Sequence, residues 1–167
     1  MKKLRIFDIF TAALRDFEAG DKDLYSWPRN RTALTHALAQ RLWTGLQNEG
    51  SPLNVDMNPY LKRTRKSINP DIAVHNRKGQ ITLAVVCRND YLSETEQKGL
   101  MELAQSCSLA MAVSFFPQKS YMLLYRATPD AIEYFHFDRN TLTVEAVRSK
   151  LFESKAGKAD GQAYLSL

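Results

Sequence analysis

Pro70-Asp71-Ile72-Ala73-Val74-His75 sets a carboxylate at the head of a short apolar run. After a turn, a second apolar run from Ile81 to Cys87 ends in Arg88. An acid opening one strand and a fixed cation closing the next suit phosphate chemistry. The carboxylate can hold a hard divalent cation through oxygen, and the planar guanidinium matches phosphate oxygens as a fork. Val86, two residues before Arg88, has no donor atom to offer a metal. Asp56, in Asp56-Met57-Asn58, is a second acid that can point towards the same pocket, and Asp90, Glu94 and Glu96 follow Arg88 closely.

These residues need elements to hold them. Leu4, Ile6, Phe7, Ile9, Phe10, Ala13, Leu14 and Phe17 recur at helical spacing up to Gly20, which predicts an amphipathic first helix. Its large apolar groups must cover a core or a partner chain. Asp21 to Arg29 reads as a polar link. A second helix is expected from about Asn30 to Gln47, with Ala33, Leu34, Ala37, Leu38, Leu42 and Leu46 on one face. Beyond Pro52 the period becomes two, with Leu53, Val55 and Met57 alternating with polar residues, which predicts a half-buried strand. Ile72–His75 and Ile81–Arg88 should form a hairpin about Asn76-Arg77-Lys78-Gly79. Glu94 to Cys107 reads as a helix and Leu109 to Phe116 as another buried strand. Strand 81–88, helix 94–107 and strand 109–116 then make a βαβ unit with parallel strands. Ser120–Arg126 and Ile132–Phe137 are further strands, and from Ser149 the chain reads as a frayed tail.

On Pro70-Asp71, the hairpin, Arg88 and this order of elements, the stretch from Arg29 to Phe116 resembles the PD-(D/E)XK nuclease superfamily. The resemblance implies an α/β restriction-endonuclease-like fold, an αβββαβ core with a mixed central sheet. To it this chain would add an N-terminal helix (1–20) and extra C-terminal strands within a single domain, 1–148, followed by a tail, 149–167. In that family a Glu in the first core helix, the Asp of the PD pair and a Glu-x-Lys on the next strand hold one or two Mg²⁺ ions and activate a water. Matched residue by residue, Asp71 takes the place of the metal-binding Asp. Asn30 stands where the helix Glu would fall, and Val86-Cys87-Arg88 stands in the Glu-x-Lys place. The implied site (Asn30, Asp56, Asp71, Val86, Arg88) is therefore vestigial, with Asp71 and Asp56 as its remaining metal ligands. No cofactor is expected, and Mg²⁺ or Mn²⁺ only if the site is active.

The chain has 167 residues, a formal charge of +5 and 44% apolar content. That is enough for one domain with a substantial core, and it permits nucleic-acid binding without demonstrating it. Lys62, Arg63, Arg65 and Lys66 form a basic loop that can track a phosphate backbone or stand as an ordinary solvated loop. Cys87 and Cys107 lack metal-ligand spacing and read as reduced buried thiols. His36, His75 and His136 are remote from one another in sequence. His36, a turn or so after Asn30, is the one expected near the cleft. Aromatics crowd the C-terminal half, where strand alternation favours core packing over base stacking. Arg5, Asp8, Arg15 and Asp16 interrupt the first apolar stretch, so a cytoplasmic protein without a membrane span is expected.

Three functions stay open at this point. The first is a catalytically degenerate nuclease-like protein that binds DNA or RNA, or serves in a nucleic-acid-processing or defence assembly. The second is a metal-dependent nuclease with a rearranged site. The third is an interaction module whose first helix, through Phe7, Phe10, Leu14 and Phe17, forms a homodimer or partner interface.

Overall fold

The computed structural model describes residues 3–59, 61 and 66–152. Helix α1 spans Lys3–Asp21, and a short 3-10 helix, Lys22–Ser26, leads to α2, Arg31–Asn48. Gly50, at φ +66°, turns the chain out of α2, a left-handed conformation that favours glycine. Three strands follow: β1 (Asn54–Met57), β2 (Ile72–His75) and β3 (Ile81–Arg88). Then come α3 (Glu94–Leu103), β4 (Cys107–Ser114), β5 (Tyr121–Ala127), β6 (Ala131–Asp138) and β7 (Val144–Leu151). From α2 to β4 the order is helix, three strands, helix, strand.

All seven strands lie in one sheet in chain order. Only β3 and β4 run parallel, with Val86 opposite Ala112 and Arg88 opposite Ser114; the other neighbours are antiparallel. A parallel pair needs a crossover, and α3 supplies it. Period-two alternation divides the strands between two apolar layers. Ile72, Val74, Leu83, Val85, Cys87, Met111 and Val113 pack with α1 and α2 on one face. Ala84, Val86, Ala110 and Ala112 pack with Leu100, Met101 and Leu103 of α3 on the other. Cover on both sides explains why β3 and β4 read as continuous apolar runs.

Helix α1 belongs to this core. Phe10, Leu14 and Phe17 are fully buried against the chain's own sheet, and Phe7 packs on Phe135 with ring centroids 5.3 Å apart. Each full burial is worth roughly 1.5–3 kcal/mol. The face expected to meet a second chain is therefore already occupied, and α1 packs as part of the domain and not as an appendage to it.

Helix α3 is shorter than expected. It stops at Leu103, and Cys107 opens β4, because the apolar demand of the parallel pair takes over from helical periodicity there. Residues 149–151, assigned to the tail, instead finish β7, which pairs with β6 as far as Leu151–Ala131. The segment after the basic loop crosses α3 at Gly99, where an added Cβ would stand 3.0 Å from the Ile68 nitrogen. Lys62, Arg63 and Arg65 lie outside the described residues; Lys66 is exposed beside this crossing. No helix among the described residues is long and apolar enough to cross a membrane.

Candidate functional site

Asp71, Arg88 and Glu96 meet where β2 begins, β3 ends and α3 starts. The Asp71 N–H donates to Val85 O, so the residue continues the β2–β3 ladder past the regular strand. Its carboxylate then does what a backbone carbonyl would do: Oδ2 accepts the Cys87 N–H at 2.7 Å. The same oxygen accepts from Arg88 Nη1 at 3.2 Å, and Oδ1 accepts from Arg31 Nη2 of α2 at 3.3 Å. The side chain is only 13% exposed.

Arg88 is the hinge of the cluster. Besides Asp71, its guanidinium donates through Nε to Glu96 Oε1 at 2.8 Å and through Nη1 to Cys87 O at 2.8 Å. Glu96 is fixed from below by a capping box. Ser93 Oγ accepts the Glu96 N–H, and Glu96 Oε2 accepts the Ser93 N–H. Partial burial works against the Glu96 charge, but the bonds from Arg88 and Ser93 outweigh it and hold the carboxyl below its usual range. Two acids and two guanidiniums thus neutralise one another.

Asn30 lies at the end of α2 that faces this cluster, but its amide is committed to structure. Nδ2 donates to Tyr25 O at 2.9 Å and Oδ1 accepts from Asn89 Nδ2 at 2.8 Å. Val86 is wholly buried in the layer beneath α3. Cys87 is also wholly buried, and burial, with the Asp71 charge adding to it, pushes its thiol up to about 12. It stays protonated and is no nucleophile.

Asp56 does not join Asp71. It sits opposite Ala73 and its Oδ2 meets His75 Nε2 at 2.6 Å. His75 is four residues along β2 from Asp71, roughly 13 Å of strand. His75 Nδ1 accepts the Arg77 N–H at 3.0 Å, so Nε2 carries the ring hydrogen and donates it to Asp56. Both ring nitrogens are thus engaged, which fixes the orientation of the imidazole. The pair borders a separate cleft of about 770 Å³, walled also by Pro59, Ile81, Leu103 and Ser106. His36 turns to Met57 Sδ, Lys98 pairs with Glu94, and Gln97 donates to Leu92 O; none of these bonds is to the Asp71 cluster.

The residues do not fit a divalent metal at Asp71. Both carboxylate oxygens already accept hydrogen bonds, the guanidinium of Arg88 stands between Asp71 and Glu96, and Val86 offers no ligand. Among the described residues no three His, Cys, Asp or Glu side chains converge as a metal would require. Glu96 and Arg31 are the members of the cluster that strand-pattern matching does not supply. The Ser-x-x-Glu spacing reveals the cap at Glu96 but not its reach to Arg88. No protein-family model matches this chain, and neither does any curated protein or solved structure.

Proposed function

We propose that the chain is a catalytically degenerate relative of the PD-(D/E)XK nucleases, with a restriction-endonuclease-like core. On this reading it binds nucleic acid, alone or as a subunit of a nucleic-acid-processing or defence assembly. The order of elements from α2 to β4 supports the kinship. The observation that carries the loss of catalysis is Arg88, whose guanidinium bridges Asp71 and Glu96, the ground a metal ion would need. An internal cation there keeps the two carboxylates together, so the scaffold persists after its chemistry has gone.

The test is a pair of assays on the full chain with plasmid, duplex and single-stranded substrates in Mg²⁺ or Mn²⁺. Retarded but intact nucleic acid, with retardation fading as salt rises, is the expected result. Cleavage that disappears in Asp71→Ala would overturn the degenerate reading in favour of an active enzyme. Absence of binding to any of the substrates would remove the nucleic-acid role.

A further inference from the structure

The strand ends that hold Asp71 and Arg88 also carry a group of aromatic side chains that the Asp71 cluster does not use. Three residues beyond Arg88, Tyr91 is 55% exposed, and its ring lies 4.6 Å from Phe116, just past β4. Phe116 meets Tyr121, the first residue of β5, at 5.6 Å, and Tyr121 stacks on His136 of β6 at 4.6 Å with ring planes 22° apart. The Tyr91 and Tyr121 hydroxyls are 3.4 Å apart. Four rings from four segments thus run continuously across one end of the sheet, on the side of α3. Tyr91 and His136 are exposed, Tyr121 is half-buried, and Phe116 is buried beneath them.

The cations on this surface differ from those around Asp71. Lys119 Nζ sits 4.3 Å from the Phe116 ring centroid and 4.7 Å from that of Tyr91, and donates to Tyr91 Oη at 3.1 Å. Arg148 of β7 lies over Tyr134, 4.7 Å from its centroid and next to it in the β6–β7 register. Both are exposed, and among the described residues neither forms an ion pair with a carboxylate. The acids near this surface include Asp90, beside Tyr91, Asp138, opposite Tyr121, and Glu145, opposite His136.

The turn that presents Lys119 is built rather than slack. Phe116 has φ +45°, a conformation rarely taken by a bulky residue. Arg139 holds it there by donating to the carbonyls of Phe115, Phe116 and Lys119, and it is itself seated beside Glu18 of α1 at 3.5 Å. The loop carrying Tyr91 is anchored too: Tyr125 Oη accepts the Leu92 N–H at 3.1 Å, and Ser114 Oγ donates to Asp90 O at 2.7 Å. Rings held in place lose little freedom when a ligand stacks on them.

From these observations we infer that Tyr91, Tyr121 and His136, with Lys119 and Arg148, form a platform for single-stranded nucleic acid. Unpaired bases stack on the exposed rings, and Lys119 and Arg148, which form no ion pair among the described residues, meet the backbone phosphates. A duplex hides its base faces and gains only the phosphate contacts, so the platform discriminates by strandedness and tolerates sequence. This inference rests on the nucleic-acid reading above, and assigns that binding to the sheet end instead of the loop 62–66.

Fluorescence anisotropy of labelled oligothymidylate and oligouridylate, with a duplex of equal length beside them, tests it on the full chain. Single strands should bind more tightly than duplex. Tyr91→Ala should weaken them roughly tenfold, and Tyr91→Phe, which keeps the ring, should restore them. Lys119→Ala should make the salt slope shallower by roughly 0.7, the share of one phosphate contact on a single strand. A melting curve for each variant confirms folding. Single-strand binding unchanged by Tyr91→Ala and Tyr121→Ala, yet abolished by charge reversal of Lys62, Arg63, Arg65 and Lys66, would overturn the platform and leave nucleic-acid binding standing. Duplex binding without single-strand binding would do the same. Binding of neither would overturn both.

Discussion

The Asp71 cluster and the Tyr91 platform stand at the same end of one sheet and use their charges in opposite ways. At Asp71 every charge is answered from within: Arg88 lies between two carboxylates, Arg31 adds a third tie, and a backbone N–H takes the remaining direction of the acid. At the platform the cations rest on ring faces, and among the described residues neither forms an ion pair with a carboxylate. The first arrangement is a fastening and the second an offer. Residue type does not distinguish the two, since each combines basic side chains with strand ends. What separates them is whether a carboxylate among the described residues meets the cation.

The sharpest way to break this comparison is to place an acid beside Arg88 on β3. Val86→Glu would bury a carboxylate beneath α3 with no partner, and should cost about 3–5 kcal/mol in urea unfolding without divalent ions. A variant as stable as the parent, or one whose melting temperature climbs on adding Mg²⁺, would show that the site is repairable and not fastened. Next in size is Asp71→Ala, expected to cost roughly 2–4 kcal/mol because the Cys87 N–H and two guanidiniums lose their acceptor together. Asp71→Asn should cost less, since its amide oxygen still accepts from Cys87. Equal losses from the two would mean that charge alone, and not the backbone bond, matters.

A smaller effect appears in acid. The Glu96 carboxyl is held below its ordinary value in the folded protein, so the unfolded chain takes up a proton first as pH falls. Its stabilisation is complete above the ordinary carboxylate range and drains away as pH drops through the lower folded value. Glu96→Gln should therefore reduce stability at neutral pH and flatten the acid limb of the stability profile. An unchanged acid limb would separate Glu96 from Arg88. Least affected is the platform: Tyr91→Ala should alter folding stability by about 0.5 kcal/mol or less, because the ring is mainly exposed. A large loss would make Tyr91 part of the fastening and sharpen the boundary between the two regions.

Much of the fold was legible because local pattern and burial agree. The second helix, the 72–88 hairpin and the parallel β3–β4 pair follow from runs whose period matches their cover. The last strand was not legible. Val144–Leu151 is exposed through most of its length, so it lacks a core stripe and is held by backbone bonds to β6. That Val86 offers no metal ligand follows directly from its apolar side chain. The bond from Asp71 to the Cys87 N–H and the reach of Glu96 to Arg88 are tertiary facts without a sequence period. Aromatic crowding was read correctly as core for Tyr125, Tyr134 and Phe137. The stacking of Tyr121 on His136 depends on cross-strand register and has no sequence period.

Arg139 carries a consequence for anyone trimming this chain. It fastens the turn after β4, and its own seat is Glu18, which also accepts from the Tyr25 hydroxyl at 2.8 Å. The opening helix and the turn after β4 therefore behave as a bolt and its plate. A truncation that discards the first twenty residues would strip the core and also loosen Lys119, more than a hundred positions further along the chain. Binding lost in such a fragment would report on the missing bolt, and should not be credited to contacts made by the helix itself.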